Sequence, residues 1–154
     1  MAPTIESVYL GNGGLSEGNN KRSNRFVKAT WKNNLTALVV DNVELCRVLE
    51  RENLRAYGVE TVAVETGEAA VELVASGSTF NLIFIDIYLP TMSGPEAVRQ
   101  IRAMGVRSKI IGLTAIITEK DEQDFFAAGI DEFYEKPLDP DWFVPIIREV
   151  DNQI

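Results

Sequence analysis

The chain has 154 residues, the length of one domain, and with 45% hydrophobic and 25% charged residues it can bury a core. No apolar run reaches the ~18 residues that span a bilayer, no continuous apolar secretory signal opens the chain, and one cysteine without histidine excludes an internal disulfide and the usual zinc ligand sets. Residues 1–34 carry net +3 and the remainder −11, for a total of −8; so acidic a body argues against nucleic-acid recognition, which rests on neutralising phosphates. A soluble protein of the cytoplasm or nucleus is expected.

Residues 1–34 hold Gly11, Gly13, Gly14 and Gly18 among several asparagines, with no sustained apolar periodicity beyond SVYL, and predict a flexible basic extension ahead of a folded domain over 35–154. From Leu35, short apolar runs alternate with helical segments. LTALVV (35–40) predicts a first strand. Leu45, Cys46, Leu49, Ala56 and Tyr57 then share an arc of about 120° on a helical wheel, interrupted by Asn53, and predict a helix packed on a sheet with Cys46 in its core. ETVAV (60–64) predicts the second strand, GEAAVELVAS (67–76) the second helix and NLIFI (81–85) the third strand. Pro95, after Gly94, suits the first turn of a third helix that runs to about Met104. KIIGL (109–113) predicts the fourth strand. Thr118 with Asp121 resembles a capping box for a fourth helix that Gly129 ends. DEFYE (131–135) predicts the fifth strand, and Asp139 and Pro140 suit the cap and first position of a fifth helix. Pro145 cannot donate to the carbonyl four residues earlier, so this last helix is expected to start late or to kink.

Five strands, each followed by a helix, imply an α/β fold: a doubly wound parallel sheet covered on both faces. The ligand site of such a sheet lies beyond the carboxyl ends of its strands, where the strand order switches. Those ends carry Asp41 and Asn42, Asp86, Thr114 and Lys136. Buried charges must be partnered or solvated, so their joint placement points to a carboxylate-rich pocket with one fixed cation. Its oxygens suit Mg²⁺. With phosphoryl charge neutralised, Asp86 can act as a nucleophile and form an acyl phosphate; Lys136 adds a positive contact, and Thr114 can donate its hydroxyl by moving inward.

The segments LVVDN, LIFIDIYLPTMSG, IIGLTA and GIDEFYEKPLD resemble, in order and spacing, the motifs of receiver domains of two-component response regulators, over residues 35–150. The resemblance implies a flavodoxin-like strand order 2-1-3-4-5 with five helices. It implies that Asp86 is the phospho-acceptor, Thr114 the switch hydroxyl, Phe133 the switch aromatic and Lys136 the family's lysine, with a cis bond to Pro137. Mg²⁺ would be held by Asp41, Asn42, Asp86 and the backbone carbonyl of Tyr88. The implied activity is phosphoryl acceptance from a histidine kinase or a histidine-containing phosphotransfer protein, with at most self-catalysed transfer and autodephosphorylation. A monomer or weak dimer would then signal by protein contact or act as a phosphate sink. The basic arm, and the absence of an output domain after the fifth helix, make the chain similar to plant response regulators without a DNA-binding domain, which serve cytokinin signalling.

Two residues depart from the family pattern. Asn42 stands where a second acid is usual; it offers a carbonyl oxygen but no charge, which implies weaker metal binding and slower phosphorylation. The alternative function is therefore a pseudo-receiver, an interaction module that binds its partner without being phosphorylated. Phe133 replaces the commoner tyrosine and lacks its hydroxyl. Two enzyme classes on similar sheets are set aside. DNVELCR after the first strand is acidic and glycine-free, unlike a flavin-phosphate cradle, and Tyr88 occupies the position where haloacid-dehalogenase-type phosphatases carry a second acid.

Overall fold

The computed structural model describes residues 4–8 and 27–154. Among these residues, seven strands and five helices follow in chain order: β1 (Thr4–Val8), β2 (Val27–Thr30), β3 (Thr36–Val40), α1 (Glu44–Ala56), β4 (Glu60–Val64), α2 (Gly67–Ala75), β5 (Leu82–Asp86), α3 (Gly94–Ala103), β6 (Lys109–Thr114), α4 (Glu119–Ala128), β7 (Glu132–Glu135) and α5 (Pro140–Gln153). Strands β3 to β7 form one parallel sheet in the order β4-β3-β5-β6-β7, which is 2-1-3-4-5 counted within the sheet. This is the order the resemblance implies. Among the described residues no helix is long and apolar enough to cross a membrane.

A parallel sheet needs both faces covered, and β5 shows the consequence, being buried along its whole length. Leu82 and Phe84 turn to one face, where they meet Trp31, Tyr57 and Phe143 beneath α1 and α5. Ile83 and Ile85 turn to the other, against Ala97, Ile101 and Phe125 of α3 and α4. Each such fully buried side chain contributes about 1.5–3 kcal/mol. Local chemistry fixes the helix ends. Thr66, Ser93 and Thr118 cap α2, α3 and α4 by accepting from the N–H three residues on, and Gly129 ends α4 with φ 119°, the left-handed conformation that glycine adopts without steric cost.

Two expectations are corrected. Of the stripe predicted to pack α1 on the sheet only Tyr57 is buried: Leu45 and Leu49 are 68% and 58% exposed, Ala56 is exposed, and Cys46 is only half-buried. The inward stripe is Glu50, Leu54 and Tyr57, at i, i+4 and i+7, and it includes an acid that hydropathy alone would place outside. Helix α5 starts at Pro140, not late, and continues through Pro145; the carbonyl left without its donor belongs to exposed Asp141, within reach of water.

Residues ahead of Leu35 also contribute contacts. Within the expected 1–34 extension, β1 and β2 pair antiparallel, Thr4 opposite Thr30 and Ile5 opposite Ala29, while residues 9–26 lie outside the described residues. The packed body reaches back beyond Leu35. Trp31 is fully buried and donates its indole N–H to the Tyr57 carbonyl at 2.6 Å, with the Arg148 guanidinium over its ring. The buried carboxylate of Asp151, in α5, accepts from the backbone N–H groups of Lys32 at 2.6 Å and Asn33 at 2.9 Å. Asp151→Ala strands both donors, and such groups cost about 1–3 kcal/mol each when unsatisfied. Urea denaturation should show a loss of about 2 kcal/mol; an unchanged midpoint would mean that residues 31–33 do not belong to the cooperative unit.

Candidate functional site

Strands β3 and β5 are neighbours with Val40 opposite Ile85, so the residues that follow, Asp41 and Asp86, meet at one end of the sheet. Asp41 is fully buried and Asp86 is 7% exposed. The turn after β7 brings Lys136 to them: its backbone N–H donates to the Thr114 carbonyl at 2.8 Å, and its bond to Pro137 is cis, as the resemblance implies. The Lys136 ammonium donates to Asp41 Oδ2 at 2.6 Å and to Asp86 Oδ2 at 2.7 Å, and lies 3.9 Å from Glu50 Oε2. The other oxygens are held by backbone: Asp41 Oδ1 accepts from the Val43 N–H at 3.0 Å and Asp86 Oδ1 from the Tyr88 N–H at 3.1 Å. Beneath this end, α3 starts so close to β5 that a Cβ on Gly94 would sit 2.3 Å from the Asp86 carbonyl oxygen. Only glycine permits that approach.

Burial raises the Asp86 pKa above the ordinary aspartate value, against the lowering effect of the Lys136 hydrogen bond. For Lys136, burial opposes the charged form, but the hydrogen bonds to Asp41 and Asp86 outweigh it and raise the pKa. Glu50 is pushed up to about 9, by burial first and by the Asp41 charge second.

The site thus unites Asp41, Asp86 and Lys136. Thr114 is fully buried at the end of β6, but its hydroxyl donates to the Ile116 carbonyl at 3.0 Å and accepts from the Ile116 N–H at 3.3 Å. It is turned along its own loop and bonds neither acid. Asn42 is exposed at the rim. Tyr88, 63% exposed, gives its backbone N–H to Asp86 and its hydroxyl to Asp121 at the start of α4, so the Asp121 carboxylate does not close the predicted capping box. Phe133 packs edge-on against Phe125, ring centroids 5.6 Å apart, on the face away from Trp31. Glu50 is the member that sequence reasoning missed. The only signal for it was its spacing from Leu54 and Tyr57.

Among the described residues no three His, Cys, Asp or Glu side chains converge as metal ligands. Asp41 and Asp86 supply two carboxylates, and the Asn42 side chain and Tyr88 backbone carbonyl neighbour them in the chain. An all-oxygen set with two charges fits a hard divalent ion that keeps several waters, as Mg²⁺ does, and no softer metal.

The family described as "Response regulator receiver domain" matches residues 37–148. Two-component response regulator 24 of Arabidopsis thaliana is 38% identical over 104 residues, covering 68% of this chain and 75% of that protein. Two-component response regulator ORR42 of Oryza sativa subsp. japonica is 38% identical over 103 residues, covering 66% and 76%. Among solved structures, the receiver domain of a Pseudomonas aeruginosa sensor histidine kinase, with a magnesium ion coordinated in its active-site cleft, superposes with a TM-score of 0.70 at 27% identity, covering 78% of this chain and 99% of that one. Response regulator protein TrrA of Thermotoga maritima, in complex with Mg²⁺ and BeF, gives 0.67 at 31% identity, covering 75% and 98%.

The raised pKa of Glu50 has a consequence for stability. Its folded value of about 9 lies above its unfolded value near 4.5, so the folded state holds the proton more tightly. That contribution is complete below about pH 4.5 and is lost as pH rises through 9. Glu50→Gln, which mimics the neutral acid, should therefore gain on the wild type in Tm as pH increases from 5 to 9. A gap that stays constant over that range would show that Glu50 is already ionised at neutral pH.

Proposed function

The chain belongs to the receiver-domain family of response regulators, and from that membership we propose that Asp86 accepts a phosphoryl group from the phosphohistidine of a kinase or phosphotransfer protein in a His–Asp phosphorelay. One observation carries the reading: a single ammonium, Lys136, is held at 2.6 and 2.7 Å between two buried acids at adjacent strand ends. In the transfer step an oxygen of the Asp86 carboxylate bonds to phosphorus while the P–N bond to the donor imidazole breaks, and its electron pair leaves on the nitrogen. With the donor ring protonated on its other nitrogen, the products are an acyl phosphate and a neutral imidazole. Asp41, Asp86, Asn42 and the Tyr88 carbonyl would hold Mg²⁺, which when bound would supply positive charge to the phosphoryl oxygens.

The chain's own groups do the rest. The Tyr88 N–H fixes one Asp86 oxygen and so orients the carboxylate. Lys136, charged at neutral pH, exchanges its bond to Asp86 for one to the phosphoryl group, which brings roughly −1 to −2 of charge. Thr114 can turn from the Ile116 carbonyl towards that group, which frees the loop after β6; Phe133, beside Phe125, moves into the space released. Raising such a rearranged state from about 1% to about 50% needs only ~2.7 kcal/mol of differential interaction. A charge-assisted bond plus one hydroxyl bond provides that. Similarity to plant response regulators supports a cytokinin-type relay in cytoplasm or nucleus as the setting, with output through protein contact or phosphate buffering rather than nucleic acid.

Incubation with a phosphorylated histidine phosphotransfer protein and Mg²⁺ should place acid-labile, hydroxylamine-sensitive label on the wild type and none on Asp86→Asn. An unlabelled wild type would leave the pseudo-receiver as the better account. Asn42→Asp, by adding a charge at the rim, should tighten Mg²⁺ binding by roughly 3- to 10-fold; an unchanged affinity would remove position 42 from the metal's surroundings.

A further inference from the structure

Glu50 is left without a role by the phosphoryl-acceptor chemistry. It is 4% exposed, on the stripe of α1 otherwise filled by Leu54 and Tyr57, where a leucine would cost nothing in desolvation. Among the described residues its Oε1 is the one buried side-chain oxygen or nitrogen that takes no hydrogen bond from a donor, and its carboxyl can bond the Asp41 carboxylate only when protonated. Native structures leave such atoms unpaired rarely, and each calls for an explanation. Its other oxygen lies 3.9 Å from the Lys136 ammonium, beyond hydrogen-bond reach but with nothing else so near among the acids that the ammonium does not already bond. Glu50 and Lys136 also line a common cavity of about 110 Å³ with Cys46, Leu49, Asn53 and Leu138, between α1 and the turn after β7.

We propose that Glu50 is a positioning residue for Lys136: it is the second seat of the ammonium, occupied when a divalent cation claims the Asp41 and Asp86 oxygens. The inference rests on the phosphoryl-acceptor reading. Lys136 takes Oδ2 of both acids, carboxylate oxygens that a divalent cation would also seek. An ammonium cannot share both of them with a divalent ion, because like charges in a buried pocket repel strongly. Lys136 has three N–H donors, of which two are used here. A displacement of about 1 Å closes the gap to Glu50 from its present length to hydrogen-bond distance. Glu50 can accept in either protonation state, since a neutral carboxyl keeps its carbonyl oxygen. Seated between Glu50 and the phosphoryl site, Lys136 stays in the pocket without competing for the metal. An apolar residue at position 50 would give it nowhere to go, so that it would return to Asp41 and oppose the cation.

Mg²⁺ titration followed by NMR, on wild type, Glu50→Gln and Glu50→Leu, tests this. In the wild type the Lys136 ammonium resonance should shift on adding Mg²⁺ with beryllofluoride and gain a scalar coupling to the Glu50 carboxyl carbon, the mark of a hydrogen bond between them. Glu50→Leu, which removes the acceptor, should bind Mg²⁺ at least about 10-fold more weakly, as expected from loss of one hydrogen bond to a charged group. Glu50→Gln keeps a carbonyl acceptor and should stay within about 2-fold of the wild type. Equal weakening in both variants would assign the effect to charge and overturn the second seat. So would a wild-type ammonium that remains coupled only to Asp41 and Asp86, an outcome that needs no variant to fold. A wild type that binds neither Mg²⁺ nor the analogue would instead bring down the phosphoryl-acceptor reading itself, and this inference with it.

Discussion

The Lys136 ammonium sits between carboxylates from two different strands, and the surrounding structure is arranged to make that contact short. Removing two acids and an ammonium from water costs several kcal/mol per ion, and their attraction repays this only with close geometry and further hydrogen bonds. Close geometry demands a fixed register. β3 and β5 pair with Val40 opposite Ile85, so their next residues reach the sheet's end together; β6 and β7 pair with Thr114 opposite Glu135, which sets the height at which Lys136 leaves the sheet. A slip of one residue along either pairing would turn an acid into the core without a partner. The apolar runs of the central strands are therefore what allow the charged cluster to exist, because they leave the strands one way to align.

A protein built only for stability would not carry this cluster. Buried ion pairs are often matched or bettered by apolar residues of similar volume, and here one acid, Glu50, is left with an unpaired oxygen. Such local violations of the rules that govern the rest of a chain concentrate where function is exercised. In this chain they concentrate at one end of one sheet: three buried carboxyls, a buried threonine and the close approach at Gly94. Elsewhere the buried carboxylate of Asp151 has both oxygens bonded by the backbone N–H groups of Lys32 and Asn33.

The sequence made the sheet legible because each central strand is a run of apolar residues broken by a polar one, and the break marks the strand's carboxyl end. Asp41, Asp86, Thr114 and Lys136 could be placed on one edge by that reasoning alone. Helix α1 could not be oriented in the same way. Hydropathy favours an inward Leu45 and Leu49, but the helix turns them to solvent because its register is set by Leu54 and Tyr57 beneath α5 and by the acid at Glu50, whose stabilising neighbours lie elsewhere in the chain. Trp31 was lost for a related reason: one aromatic before a strand has no periodicity, and its partners, Tyr57 and Arg148, are distant in sequence. The direction of the Thr114 hydroxyl is a rotamer, and no pattern of residue types encodes it.

That rotamer connects the acid cluster to the surface. The loop after β6 is closed at its start by the pair of bonds between Thr114 and Ile116, and at its end Thr118 caps α4 by accepting from the Asp121 N–H. Asp121 in turn takes the hydroxyl of Tyr88, whose own N–H is bonded to Asp86. The loop is thus held at one side by Thr114, which bonds neither acid, and at the other through Tyr88, whose N–H bonds Asp86. One side is buried and has only to exchange one hydrogen bond for another; the other is exposed, where a single bond contributes little and water can replace it. Asymmetry of this kind lets the buried end decide which arrangement is populated, while the exposed end yields. Ile116 and Ile117, 68% and 42% exposed on that loop, are the apolar side chains whose presentation would change. On the proposed reading, a change of charge at Asp86 would be converted into a change of apolar surface, with Thr114 as the lever and Tyr88 as the release.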